Sequence, residues 1–327
     1  MARLLNVFAH RWAVMGIWLV TSVSGIMMVI AVGILLPSIS AELGLTPSQQ
    51  GFFGSSAFFG NLVLALPLSW WMSRYRPKIL TTITLALGAI FLLIQGWAPT
   101  FAILLIGRLG YGVATLAREP ARALLMHQWF APREFIVVNS VYNALFGIVV
   151  GGGLFATPFI LAAAGDDWRA VLYTFATVAT VMTILWAVLG KERASENDSE
   201  SSPASDGQFG LIRRVLNYKD LWLSGFGFMG ATMGWSSFLT FYPTLMLDTH
   251  QMSLNWSGAI LAVGIVVGGL VGVALSYLVM SIGSGRRKNT VQALGILMMA
   301  SYFGMTLMDS IPALLIISAL KIGRAHV

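Results

Sequence analysis

The sequence contains no cysteine. Disulfides, thiolate metal centres and cysteine nucleophiles are therefore excluded. Only four histidines are present, His10, His127, His250 and His326, and their scatter matches no metal-ligand spacing. Charge is scarce as well: Asp, Glu, Lys and Arg make up 10% of the 327 residues, against roughly 25% in soluble domains. Acidic residues are scarcest of all where the chain is apolar, since Glu119 alone falls inside a predicted span. No carboxylate pair, nucleophile constellation or metal cluster appears in the spans, so an enzyme is not expected and no cofactor or metal is implied.

What is present is apolar surface. Hydrophobic residues make up 57% of the chain, and the mean hydropathy is +0.79. This composition predicts an all-α polytopic membrane protein, because helices satisfy their own backbone groups where no water can. A span needs about 20 apolar residues. Spans are predicted at about 12–36, 50–72, 79–97, 101–126, 135–163, 170–189, 221–245, 255–281 and 290–308, with an incomplete one from 311. The first run is far longer than the apolar core of a cleavable signal peptide. The net charge of +7 reads as basic loops on one side of a membrane rather than as a nucleic-acid surface, for which no binding pattern is present.

Orientation follows from those basic residues. With the N-terminus in the cytoplasm, the inside segments hold fourteen Lys and Arg, from Arg3 to Lys288, against Arg169 alone outside. This bias predicts a multi-pass protein of the cytoplasmic membrane with a cytoplasmic N-terminus. Residues 191–208, KERASENDSESSPASDGQ, are polar enough for a linker. Residues 209–220 suit a short interfacial helix. The blocks on either side look like a repeat. TPSQQG (46–51) and SLNWSG (253–258) each open a span with a hydroxyl residue five positions before a glycine. SRYRPK (73–78) and GSGRRK (283–288) follow those same spans.

The fourth span stands out. It is apolar, yet it carries Arg108, Arg118, Glu119 and Arg122. At roughly 100° per residue, a continuous helix gathers all four into an arc of roughly 100°. Ile106, Gly110, Val113, Ala117 and Leu124 fall opposite. Charges at membrane depth usually face a bundle interior or a water-filled path. Glu119 is within reach of Arg122, three residues on, and Pro120 predicts a kink.

These features resemble the major facilitator superfamily. The local match is Arg108, Gly110, Gly112 and Pro120, followed by Trp129-Phe130-Ala131-Pro132-Arg133-Glu134, with Asp167-Trp168-Arg169 before the sixth span. The family's loop signature, G-x-x-x-D-R-x-G-R-R/K, is only partly kept. Ser69 and Ser73 replace its Gly and Asp, Arg74 matches, Arg76 stands at its second Gly, and Lys78 ends it. The resemblance implies two six-helix halves with substrate bound between them. On that basis residues 1–190 are an N-terminal six-helix half, 191–218 a cytoplasmic linker and 219–321 an incomplete C-terminal half. About nine full spans and a partial tenth are then present, and 322–327, IGRAHV, reads as a non-native tail.

The resemblance also implies that the first, fourth, seventh and tenth spans line the cavity. Arg108, Arg118, Arg122, Asn143, Trp235 and Tyr242 are the candidate substrate or cavity residues, Glu119 the candidate coupling residue, and Arg74, Arg76 and Lys78 the gating loop. Asn139 shares a helix face with Asn143, next to Tyr142, and suits interhelical hydrogen bonding. Thr21, Ser22, Ser24, Ser236 and Thr240 are further polar positions. Gly147-x-x-x-Gly151-Gly152-Gly153 predicts close helix packing. Trp12, Trp70, Trp71 and Trp168 read as interfacial belt residues.

The function implied is secondary transport by alternating access. Three span arginines against one glutamate favour an organic or inorganic anion, with a proton or counter-substrate as possible partner, lipid around it and a monomeric state. The alternatives are efflux of hydrophobic or cationic compounds, and a non-transporting membrane receptor or scaffold.

Overall fold

A computed structural model of the chain describes residues 2–58, 75–191, 217–281 and single positions between 289 and 307. Arg74, Trp70, Trp71, the side chain of Ser24, most of the linker, the ninth and tenth spans and residues 322–327 lie outside the described residues.

Every described element is helical. They are α1 (Ala2–Leu43), α2 (47–58), α3 (Pro77–Trp97), α4 (Phe101–Thr115), α5 (Arg118–Trp129), α6 (Phe135–Ala163), α7 (Trp168–Leu189), α8 (Lys219–His250) and α9 (Leu254–Ser281), with a 3-10 turn at Pro132–Glu134. Among the described residues five segments are long and apolar enough to cross a membrane: Pro77–Trp97, Phe101–Trp129, Pro132–Ala163, Trp168–Leu189 and Leu254–Val271. The chain is a multi-pass membrane protein.

Local chemistry sets the ends. At the start of α2, Gln49 Oε1 accepts from the Thr46 backbone N–H at 2.9 Å, while Thr46 Oγ1 accepts from the Gln49 N–H at 3.3 Å. This reciprocal pair satisfies two orphan donors of a first helical turn. Gly44, at φ +61°, ends α1 and lets the Leu45 N–H reach the Ser40 carbonyl at 3.1 Å. At the start of α7, Asp167 accepts from the Arg169 N–H at 2.9 Å.

The fourth span differs from the expected continuous helix. It is interrupted at Leu116–Ala117 and resumes as α5 at Arg118. Pro120 explains the position of the break. A proline has no N–H to give the carbonyl four residues back, and its ring crowds that carbonyl. Here that carbonyl belongs to Leu116. Arg108 therefore lies before the break and Arg118, Glu119 and Arg122 after it.

Two polar clamps hold the ends of the bundle. At one end Glu42, on the last turn of α1, accepts from Trp168 Nε1 at 2.6 Å and from Arg169 Nη1. Arg169 Nη2 also donates to the Ala98 carbonyl at 3.2 Å. Trp168 is consequently buried, at 1% exposure, and not a belt residue as its place near a span end suggested. At the other end Arg11 donates to both oxygens of Glu134, at 3.0 and 2.9 Å. Glu134 also accepts from the Ala131 N–H at 3.0 Å. Trp12 is half-buried, edge-on to Phe130 with ring centroids 5.0 Å apart.

One apolar cluster runs from α1 through α6 to α8 and α9, including Trp18, Tyr142, Val150, Tyr242 and Ile265. One of its close seams lies between α6 and α9. A Cβ on Gly147 would stand 2.8 Å from the Ile265 carbonyl, and one on Gly269 2.8 Å from the Asn143 carbonyl. The expected small-residue stripe thus works as a packing seam. Gly152 of the same stripe faces open space.

Two outcomes follow. Gly147→Leu should lower the melting temperature in detergent by several degrees through overpacking, whereas Gly152→Leu should leave it unchanged. The Arg169 hydrogen bond holds the Glu42 carboxyl below its ordinary value of 4.5. A depressed carboxylate stabilises the fold above the unfolded pKa and loses that contribution as pH falls through the folded one. Melting temperature should therefore be flat above about pH 5 and fall below it, and Glu42→Gln should flatten that acid-side slope.

Candidate functional site

Arg118, Glu119 and Arg122 enter the structure as the first turns of α5. Spacings of three and four residues place Glu119 and Arg122, and Arg118 and Arg122, on neighbouring positions of the helix surface. Glu119 receives both guanidinium groups: Arg118 Nη2 lies 3.1 Å from Oε1 and Arg122 Nη2 2.7 Å from Oε2. The carboxylate remains 49% exposed, whereas the side chains of Arg118 and Arg122 are 15% and 24% exposed. The acid is thus the accessible member of the group.

Helix α6 completes the cluster. Arg122 Nη1 donates to Asn139 Oδ1 at 2.9 Å, and the guanidinium carbon sits 4.4 Å from the centre of the Tyr142 ring. Hydrogen bond, ion pair and cation–π contact together fix the plane of the guanidinium. Asn143 lies one turn further along α6, half-buried, with its backbone carbonyl against Gly269 of α9. The cluster therefore adjoins the seam between α6 and α9.

Arg108 is separate. It is fully buried on α4. Its Nη2 donates to the Val29 carbonyl at 3.0 Å, and its guanidinium lies 5.5 Å from the Phe53 ring centre. It thus ties α4 to α1 and α2. Trp235 and Tyr242 lie on α8. Tyr242 is buried at 2% exposure and stacks on Phe238 with centroids 4.6 Å apart, while Trp235 packs at the edge of the same apolar cluster as Tyr142. Neither the Tyr242 hydroxyl nor the Trp235 N–H has a hydrogen-bond partner among the described residues. Arg76 stands at the start of α3, and the Lys78 carbonyl accepts from Trp186 Nε1 at 3.2 Å. Arg76 makes no side-chain cap at that helix start, and Arg74 lies outside the described residues.

A second polar group was not foreseen from the sequence. Ser22, Thr81, Thr84, Tyr111, Thr115 and Arg118 line a cavity of about 20 Å³ enclosed by α1, α3, α4 and α5. The signal was present in the threonines of Thr81-Thr82-Ile83-Thr84 and in Tyr111, three residues from Arg108. In an apolar helix, however, a hydroxyl usually bonds its own backbone, so residue type alone does not separate a lining residue from a packing one.

The comparisons with known proteins agree with this architecture. A family model, the Major Facilitator Superfamily, matches residues 17–325. The hexuronate transporter of Bacillus subtilis (strain 168) is 22% identical over 248 residues, covering 75% of this chain and 58% of its own. The probable galactarate/D-glucarate transporter GarP of Escherichia coli (strain K12) is 23% identical over 281 residues, covering 74% and 61%. A solved structure of a bacterial homolog of the human lysosomal transporter Spinster, inward-facing and unoccupied, superposes with a TM-score of 0.68 at 14% identity, covering 97% of this chain and 74% of that one. The chain spans about three-fifths of the length of these two curated relatives. With a matching model over nearly its whole length and the helical architecture of that fold, the chain belongs to the Major Facilitator Superfamily.

Proposed function

We propose that the protein is a secondary transporter of a small organic anion, most simply a sugar acid, moving it across the cytoplasmic membrane by alternating access. The observation that carries this reading is the half-exposed Glu119 carboxylate held by two largely buried guanidinium groups. An incoming carboxylate has the same charge and the same fork geometry as Glu119, so it can replace it on Arg118 and Arg122. The names of the two curated relatives, a hexuronate and a galactarate/D-glucarate transporter, support a carboxylate substrate. Efflux of a cation fits less well, because the one acidic side chain of the cluster is already paired twice.

Protonation of Glu119 would release both guanidinium groups together. This is the step by which proton binding and anion binding would be coupled: the carboxylate either holds the arginines or carries a proton while the substrate holds them. Arg108 is a positioning residue in this scheme, because its contacts are with Val29 and Phe53. Tyr242 and Trp235, on α8, offer the opposing wall.

The orientation and domain reading complete the proposal. With a cytoplasmic N-terminus, residues 1–190 form the first half and the linker of 191–218 leads to the second, from 219. Helix α8 packs on α1 and α2 towards its outer end, where a Cβ on Gly33 would strike the Leu239 carbonyl and one on Gly54 would lie 2.8 Å from the Thr240 side chain. Towards its inner end Trp222, Phe226 and Met233 are exposed. In that orientation the Arg11 end of the bundle faces the cytoplasm.

Uptake of glucuronate into vesicles containing the protein should fall at least about tenfold in Arg122→Gln and in Arg118→Gln, with protein levels retained. Arg108→Gln should reduce the amount of folded protein instead. Unaltered uptake in both of the first two variants would count against the site. Absence of flux for any anion in a broad vesicle screen would favour a receptor or scaffold. In Glu119→Gln a pH gradient should no longer drive accumulation, whereas exchange of internal for external substrate should persist. Gradient-driven uptake equal to that of the unaltered protein would remove Glu119 from the coupling step.

A further inference from the structure

The cavity beside α4 is unlike the transport site proposed above in place and size. Its lining comes from α1, α3, α4, α5 and α7, and no residue of α6, α8 or α9 reaches it. At about 20 Å³ it admits one water or one monatomic ion and excludes any sugar acid.

Its walls are polar and unsatisfied. Tyr111 is fully buried, Ser22 is 3% exposed and Thr84 6%. Among the described residues the hydroxyls of all three lack a hydrogen-bond partner, as do Nε and Nη1 of Arg118, whose Nη2 engages Glu119. Three hydroxyls and one guanidinium of the lining residues thus have unpaired atoms, where a buried polar group ordinarily finds a partner. The remaining two hydroxyls are accounted for: Thr81 Oγ1 accepts from Trp18 Nε1 at 3.1 Å, and Thr115 Oγ1 donates to the Gly112 carbonyl at 2.9 Å.

All five unsatisfied atoms carry a hydrogen that can be donated. No carboxylate lines the cavity. Arg108 is buried one helical turn from Tyr111 and adds a second positive charge. A water accepts from only a pair of these groups and brings no charge. An anion accepts from every wall and offsets the charge of Arg118, whose carboxylate partner Glu119 also pairs with Arg122.

We propose that this cavity binds a monatomic inorganic anion of the chloride class, held by the hydroxyls of Ser22, Thr84 and Tyr111 and by Arg118. Because that arginine also holds Glu119, an ion in the cavity biases the charge network from behind without occupying the space between α6 and α8. The proposal is independent of the identity of the transported solute.

Thermal unfolding of the purified protein tests it, in sodium chloride or bromide against sodium methanesulfonate at constant ionic strength. Methanesulfonate is too large for the cavity. The melting temperature should rise by several degrees with halide and saturate. In Tyr111→Phe and in Ser22→Ala, each lacking one donor, the halide concentration needed for half the rise should increase about fivefold. If Tyr111→Phe does not fold, Ser22→Ala and the unaltered protein decide the matter. A melting temperature indifferent to halide in the unaltered protein, or the same half-saturation in every folded variant, overturns the proposal and leaves a single water in the cavity.

Discussion

A guanidinium group cannot lose its proton and is costly to hold in an apolar slab. Much of this structure answers that constraint. Arg108 is met by a carbonyl and an aromatic face. Arg122 is met by a carboxylate, an amide oxygen and a ring. Arg118 is met on one nitrogen by Glu119 and is itself one of the residues that line the small polar cavity. Glu119 is the shared element, so the state of one half-exposed carboxylate sets the electrostatics of α5 and of the α6 face against it.

Ordered polar ends and an apolar middle divide the labour in the rest of the chain. Glu42 with Trp168 and Arg169 ties α1 to the start of α7 and to the Ala98 turn. Arg11 with Glu134 ties the start of α1 to the turn before α6. Both clamps join helices within the first 190 residues, so they stiffen one body without restraining it against α8 and α9. Contact with those two helices rests on close backbone approach at Gly147, Gly269 and Gly33. A seam of small residues carries no directional bonds that rocking would have to break, which suits the alternating-access motion proposed for the family member described here.

Much of this was legible in the sequence, and the reason is specific. Run length and low charge determine helices and spans, so the element order was readable from apolar stretches alone. The Glu119–Arg122 pair followed from a spacing of three. The packing role of Gly147 and Gly151 followed from a spacing of four. What failed was continuity: the arc of four charges assumed an unbroken helix, and Pro120 ends it at Leu116. Pairings across long separations were also invisible. Nothing near Trp168 in sequence announces Glu42, 126 residues away, and without that partner a tryptophan near a span end reads as a belt residue. The lining of the small cavity escaped for the same reason, since Ser22, Thr84 and Tyr111 come from three helices.

Position and volume separate the two kinds of anion chemistry proposed for this fold. A sugar acid has to be reached from water and released again, so its partners must be accessible and already compensated when it is absent. Glu119 supplies that compensation for Arg118 and Arg122, and its exposure lets it be displaced. A small enclosed void has the opposite properties: no organic solute can enter it, and its donors have no internal substitute. Arg118 belongs to both environments, with Nη2 on Glu119 and a place in the lining of the cavity. A charge placed behind Arg118 weakens its hold on Glu119, and Glu119 then leans on Arg122. The two proposed sites are therefore coupled through one side chain, without any movement of the helices that carry them.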